Sequence, residues 1–182
     1  MTKAAPKASS LVADKAAQVV LMGFDVDGVL TDGTLYFTSQ GDEMKAFSSL
    51  DGHGLKMLQR AGVEVAIISG RSSRALELRV RNLGVEELHM GVEDKRGLLT
   101  ELAARRGIDL SRTGYMGDDV VDLPILRACG FSATVADGHS EVLARVDYVA
   151  TKGGGHGAAR EVCDLILRAQ GKWAAAMAGY LA

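Results

Sequence analysis

Asp25 and Asp27 stand at the end of the apolar run Val19-Val20-Leu21-Met22-Gly23-Phe24, with Gly28 directly after them and Asp32-Gly33 closing the stretch. An apolar run of this kind suits a strand covered on both faces, and such a strand delivers chemistry at its carboxyl end. At strand spacing the two carboxylates share a face, where they repel unless a cation or a shared proton offsets them. Two close carboxylates beside a glycine turn point to Mg²⁺ and phosphate. The same pattern repeats along the chain. Ser69-Gly70-Arg71 follows the apolar run Val63 to Ile68, and Gly117-Asp118-Asp119 and Asp122 follow Thr113 to Met116. Lys95 opens a helix just after the short run Glu86 to Met90, and a cation at a helix N-terminus is mildly unfavourable unless an anion sits nearby. Taken singly, each residue has a structural reading: Ser69 as a helix cap, Asp118 as a solvated turn residue, the D-x-D-G aspartates as turn caps. Four loaded strand ends together argue for a site.

The elements that must hold these residues alternate. A helix over Leu11 to Gln18, starting behind Ser9 or Ser10, leads into the first strand, and residues 1–10 read as a disordered leader. Residues 33–48 contain two short β-rich runs around Ser39-Gln40-Gly41-Asp42, an inserted hairpin carrying Leu35, Phe37, Met44 and Phe47, more apolar surface than a two-stranded ribbon buries alone. Asp51 is placed to cap a helix over Leu55 to Ala61, with Gly62 after it. Helices over Ser72 to Leu83, Lys95 to Arg106, Ile125 to Cys129 and His139 to Arg145 alternate with strands over Glu86 to Met90, Thr113 to Met116, Phe131 to Val135 and Asp147 to Ala150. Residues 153–157 read as a flexible glycine loop, Ala158 to Gln170 as an amphipathic helix, and residues 172–182 as a tail. This order predicts an α/β fold of three layers around a parallel sheet, Rossmann-like, one domain over residues 11–171, whose ligands bind beyond the carboxyl strand ends.

Composition narrows the class. The chain is 47% hydrophobic and 24% charged with a net charge of −2, and it has no basic run to track a duplex, so nucleic acid is not the expected partner. Its longest apolar run falls far short of a membrane span, and no signal segment is apparent. Cys129 and Cys163 are isolated, without disulfide or zinc spacing, which fits a reducing cytoplasm. His53, His89, His139 and His156 lack a second ligand at metal spacing and read as surface or packing residues.

D-V-D-G-V-L-T-D-G at 25–33, I-S-G-R at 68–71, Lys95 and G-D-D-V-V-D at 117–122 resemble the four ordered motifs of the haloacid dehalogenase superfamily. More narrowly, the hairpin, D-G-H-G at 51–54 and G-G-H-G-A-A-R-E-V-C-D at 154–164 resemble the 3-deoxy-D-manno-octulosonate 8-phosphate phosphatases, over roughly residues 18 to 172. His53 and His156 depart from the residues common there.

The resemblance implies roles. Asp25 is the nucleophile that forms an aspartyl-phosphate, and Asp27 the general acid and later base, its backbone carbonyl a metal ligand. Asp118 completes the Mg²⁺ ligands with Asp25, while Asp119 or Asp122 grips the metal's waters. Ser69 and Lys95 donate to phosphate oxygens. Gly70, Arg71 and Arg160 are candidates for binding the sugar acid, although a structural ion pair suits each guanidinium as well. The minimal hairpin stands in place of a cap domain, and in the similar phosphatases four such hairpins join a homotetramer. By the same resemblance, the tail closes over a neighbour's site mouth. The implied substrate is a small sugar-acid phosphate on the route to lipopolysaccharide. A nine-carbon ulosonate phosphate is the nearer rival and a non-catalytic tetramerisation module the more distant one.

Overall fold

Six strands pair side by side, all parallel, in the order β5-β4-β1-β6-β7-β8. The strands are β1 (Leu21–Phe24), β4 (Glu64–Ile68), β5 (Glu87–His89), β6 (Thr113–Met116), β7 (Phe131–Thr134) and β8 (Tyr148–Val149), with β2 (Tyr36–Phe37) and β3 (Glu43–Met44) forming a separate antiparallel ribbon. The structure is a computed structural model and describes residues 10–181. Apart from Ser10, the expected leader lies outside the described residues.

Alternation along the strands divides the apolar side chains between two cores. Met22 and Phe24 face one side of the sheet with Val65 and Ile67, while Leu21 faces the other with Ala66, Ile68 and Tyr115. The first side is covered by α1 (Ser10–Gln18), α2 (Ser49–Arg60), α3 (Arg74–Leu83) and α7 (Ala158–Ala169). The second is covered by α4 (Lys95–Arg105), α5 (Leu123–Leu126) and α6 (Ser140–Leu143). The result is the three-layer α/β arrangement expected for parallel strands that read as continuous apolar runs. Loops leaving β1 and β6, which are neighbours, run toward opposite edges of the sheet, so a crevice opens between their carboxyl ends.

Two expectations are corrected by the packing. Asp51 does not cap its own helix: Ser48 does, its hydroxyl accepting from the Asp51 amide, and Asp51 lies inside the first turn of α2. Its carboxylate, 2% exposed, instead accepts from the amides of Gly157 at 3.1 Å and Arg160 at 2.8 Å, so α2 caps the start of α7. The glycine loop at 153–157 is likewise a packing element. Gly155 donates to the Val29 carbonyl at 2.9 Å, and a Cβ on Gly154 would lie 2.0 Å from the Gly28 carbonyl oxygen. The glycines are there because backbone meets backbone beneath the turn that follows β1.

The hairpin strands are shorter than predicted, and Phe47 leaves the ribbon to pack on the core, with the Arg79 guanidinium over its ring. The tail forms α8 (Trp173–Ala178) and folds onto its own chain. Lys172 donates to the Ala61 carbonyl, Arg168 stacks on Trp173 at 3.8 Å, and Arg60 donates to the Tyr180 hydroxyl.

Replacing Asp51 by Ala leaves two buried amides of α7 without acceptors, at a cost of about 1–3 kcal/mol. A urea titration should show that loss as a lower midpoint at unchanged slope. An unmoved midpoint would mean that water caps α7 equally well.

Candidate active site

Each loaded strand end opens onto one cleft of about 510 Å³ at the switch crevice. Asp25 and Asp27 come from the end of β1, Ser69, Gly70 and Arg71 from the end of β4, Lys95 from the start of α4 beyond β5, and Asp118 and Asp119 from the end of β6. Val92, Glu93 and Val121 complete the rim.

Asp25 is fixed at both ends. Its amide continues the sheet by donating to the Met116 carbonyl at 2.9 Å, and its Oδ1 accepts from the Val26 amide at 2.7 Å. Its Oδ2 accepts from Lys95 Nζ at 2.7 Å. Lys95 reaches the same distance to Asp122 Oδ1, so one ammonium lies between two carboxylates, only 7% exposed. Burial alone would favour the neutral amine, but Asp25 and Asp122 outweigh it and the lysine pKa is raised. Asp94 caps α4 through the Gly97 amide, which fixes where Lys95 begins. The unfavourable placement of a lysine in the first turn is thus offset by acid on the neighbouring strands.

Asp122, expected with Asp119 as one of two acids that could grip a metal's waters, lies behind the cleft wall. It is fully buried, its Oδ1 is taken by Lys95, and its Oδ2 accepts from the amides of Asp118 and Asp119 at 3.1 and 3.4 Å. It organises the lysine and the turn after β6 rather than facing the cleft, where Asp119 does line the wall. Arg160 also lies elsewhere: its Nε donates to Asp164 at 2.7 Å, and it packs against Gly54 of α2 outside the cleft wall. His156 is exposed on the glycine loop and His53 meets the Tyr180 ring edge-on, neither lining the cleft. Ser69 is 2% exposed and accepts from the Arg71 amide at 3.2 Å, holding that turn tight.

The acidic residues converge strongly enough to hold a cation. Oxygens of Asp25, Asp118 and Asp122 lie within 4.8 Å of one another. Asp25 and Asp118 line the cleft while Asp122 is buried behind it, and carboxylate oxygens gathered this closely suit a hard, oxygen-seeking ion. Gly28, at φ +87°, makes the room, since a Cβ there would lie 2.1 Å from Asp118 Oδ2. Burial, then repulsion from Asp122, raises the Asp25 pKa to about 7, and burial followed by repulsion from Asp25 and Asp122 raises that of Asp118 to about 7.

Sequence reasoning gave no role to Lys45 and Glu43 of the hairpin. The Lys45 ammonium contacts Asp27 Oδ1, while Glu43 Oε1 accepts from Arg71 Nη2 at 2.9 Å, and Arg71 Nε stands 3.7 Å from Asp27 Oδ2. The signal was present as alternation, because Glu43, Lys45 and Phe47 all turn inward while Met44 and Ala46 turn out.

A parallel α/β sheet with a buried aspartate, a lysine bridging two carboxylates and a second aspartate across the switch crevice defines a phosphoryl-transfer hydrolase of the haloacid dehalogenase type. The sequence profile of haloacid dehalogenase-like hydrolases matches residues 89–162. The 3-deoxy-D-manno-octulosonate 8-phosphate phosphatase of Escherichia coli K12 is 41% identical over 167 residues, covering 92% of this chain and 88% of that protein. Its Yersinia pestis counterpart is 44% identical over 161 residues, covering 88% and 86%. Among solved structures, the enzyme from Moraxella catarrhalis, in complex with a magnesium ion, a phosphate ion and a KDO molecule, superposes with a TM-score of 0.91 at 43% identity over 93% of this chain and 97% of that one. A probable YrbI-family phosphatase from Pseudomonas syringae gives a TM-score of 0.94 at 45% identity, covering 96% and 99%. The chain belongs to the 3-deoxy-D-manno-octulosonate 8-phosphate phosphatase family.

The raised carboxyls make the cation's effect depend on pH. A carboxyl whose folded pKa lies above its unfolded value contributes stability that is present below about pH 4 and lost as pH rises through about 7. A divalent ion requires both groups ionised and removes their repulsion. The rise in melting temperature produced by Mg²⁺ should therefore be larger at about pH 8 than at about pH 6, read by differential scanning fluorimetry against a chelator blank. Equal shifts at both pH values would separate Asp25 and Asp118 from cation binding.

Proposed function

We propose that the chain is a Mg²⁺-dependent phosphomonoesterase that hydrolyses 3-deoxy-D-manno-octulosonate 8-phosphate to the free sugar acid and phosphate, in the supply of lipopolysaccharide precursors. The single observation that carries the chemistry is Asp25: buried, accepting on one oxygen from the Val26 backbone amide and on the other from Lys95, at the floor of an open acidic cleft. Names borne by the relatives support the substrate.

In this reading an Asp25 oxygen attacks phosphorus as the bond to the sugar oxygen breaks, and Asp27 gives its proton to the departing alkoxide. The aspartyl-phosphate is then opened by water, whose proton passes to Asp27, and Asp25 is regenerated. Lys95 moderates repulsion between Asp25 and the phosphate dianion, and Ser69 donates to a phosphate oxygen. Asp25, Asp118 and the Asp27 carbonyl would hold Mg²⁺, which would supply positive charge to offset that gathered on phosphate and carboxylates. Arg71, about half exposed at the mouth, is placed to exchange its Glu43 partner for the sugar's carboxylate.

Asp25→Asn should reduce phosphate release to below about a tenth of wild type while circular dichroism is unchanged, because the amide is not a nucleophile. EDTA should stop the wild-type reaction, Mg²⁺ restore it, and Ca²⁺ restore little, since Ca²⁺ favours more ligands at longer bonds. Activity that survives in Asp25→Asn would end the assignment of the nucleophile.

We further infer a homotetramer joined through the hairpins, in the cytoplasm. Among the described residues the two ribbon strands pair only with each other, and the ribbon exposes Leu35, Tyr36, Phe37 and Met44, with Phe37 59% and Met44 58% accessible. Both cysteines are free, which fits a reducing compartment. Tyr36 and Met44 are directly paired across the ribbon, so introducing Asp at both should dissociate the assembly to monomers in light scattering. A monomeric wild type, or a double variant of unchanged mass, would remove the hairpin from this role.

A further inference from the structure

The hairpin is exposed on its outer face, yet Lys45 at the end of β3 is 3% exposed at its side chain. A lysine hidden on a surface ribbon needs a reason, because burying an ammonium is unfavourable unless it is paired. Its partners are Asp27 Oδ1 and, at 3.5 Å, Glu43 Oε1. Glu43 in turn holds Arg71, which stands 3.7 Å from Asp27 Oδ2. Acid and base alternate around a closed ring of four side chains drawn from three segments: the turn after β1, the hairpin and the turn after β4. Lys45 is absent from the cleft wall, whereas Asp27 and Arg71 are part of it, so the ammonium lies behind Asp27 and not where a substrate would meet it.

We propose that Lys45 is a positioning residue for Asp27, and that the hairpin takes part in catalysis within its own chain by orienting the acid. The contact from Lys45 occupies Oδ1. Oδ2 remains, farther from Arg71 than a hydrogen bond reaches, and this is the oxygen that carries the proton to the leaving alkoxide and takes the one released by attacking water. No atom of Lys45 is consumed: the P–O bond to the sugar breaks, the bond to Asp25 forms, and the proton moves from Asp27 Oδ2 to the sugar oxygen. This inference rests on the reading of Asp27 as general acid and deepens it.

A positioned acid matters in proportion to how poor the leaving group is. The sugar alkoxide needs a proton as it departs, and p-nitrophenolate does not. In the full-length Mg²⁺-loaded enzyme, Lys45→Met should lower kcat on 3-deoxy-D-manno-octulosonate 8-phosphate by about tenfold or more while kcat on p-nitrophenyl phosphate falls by less than about threefold, with KM for the sugar phosphate little changed. Lys45→Gln, which keeps a polar group in the ring, should show the same contrast if Lys45→Met folds poorly. Lys45→Arg should recover part of the loss by restoring the cation. Equal losses on both substrates, or a change in KM alone, would mean that Lys45 serves the phosphate, the sugar or only the fold, and would overturn the proposal, as would no loss at all. Asp27→Asn separates the two levels of inference. If it shows the contrast and the Lys45 variants do not, only the positioning role falls. If Asp27→Asn lacks the contrast, Asp27 is not the acid and the role of Lys45 falls with it.

Discussion

One buried ammonium between two buried carboxylates holds the site together. Lys95 reaches Asp25 and Asp122 at 2.7 Å each, and those aspartates come from different segments around adjacent central strands. Removing one partner of a buried pair is far more costly than the pair itself is stabilising, on the order of 3–5 kcal/mol, because the survivor is left charged and dry. Asp122 therefore does two jobs. It fixes the lysine, and through its other oxygen it takes the Asp118 and Asp119 amides, so the turn that presents Asp118 is set by the same group that sets the counter-charge of Asp25. Burial first, and then repulsion among the neighbouring carboxylates, raises the Asp25 and Asp118 pKa values to about 7, and a divalent cation suits the space between them.

Support for the turn after β1 comes from the far end of the sequence. Gly154 and Gly155 press their backbones against Gly28 and Thr31, and Asp51 ties the end of that loop to α2. The turn that carries Asp25 and Asp27 is thus clamped from below by a loop some 130 residues away in the chain. Its rigidity comes from close backbone contact, which only glycine permits at those positions. A preorganised floor of this kind suits phosphoryl transfer, where catalysis is mostly positioning and charge.

Much of this was legible in advance, for a physical reason. Asp25, Asp27, Ser69, Gly70, Arg71, Asp118 and Asp119 follow the ends of β1, β4 and β6, and in a parallel sheet the residue after such a strand has one place to go, while Lys95 stood out as a cation at a helix start. What the sequence hid depends on contacts between elements rather than on pattern within one. Asp51 looks like a local cap because its neighbours are helical, and only the docking of α7 onto α2 redirects it. A run of glycines reads as freedom until a second backbone is brought against it. Asp122 sits among exposed-looking acids, and its burial appears only once α5 and β6 close over it. Lys45 reads as an ordinary ribbon cation until the ribbon is folded down over Asp27.

The pairing of β1 with β6 has a consequence for how the chain comes to be active. Asp25 and Asp118 are 93 positions apart, yet they meet because Phe24 lies opposite Met116 in the sheet. A slip of one residue in that register would turn every side chain of the strand to the other face and carry Asp118 away from Asp25. Gly114 and Gly23 discourage such slips, since the missing side chains are what let Met22 and Tyr115 lie across the neighbouring strand. A misaligned or half-assembled chain is therefore inert by construction. Hydrolysis switches on only in molecules that have completed their central strand pairing.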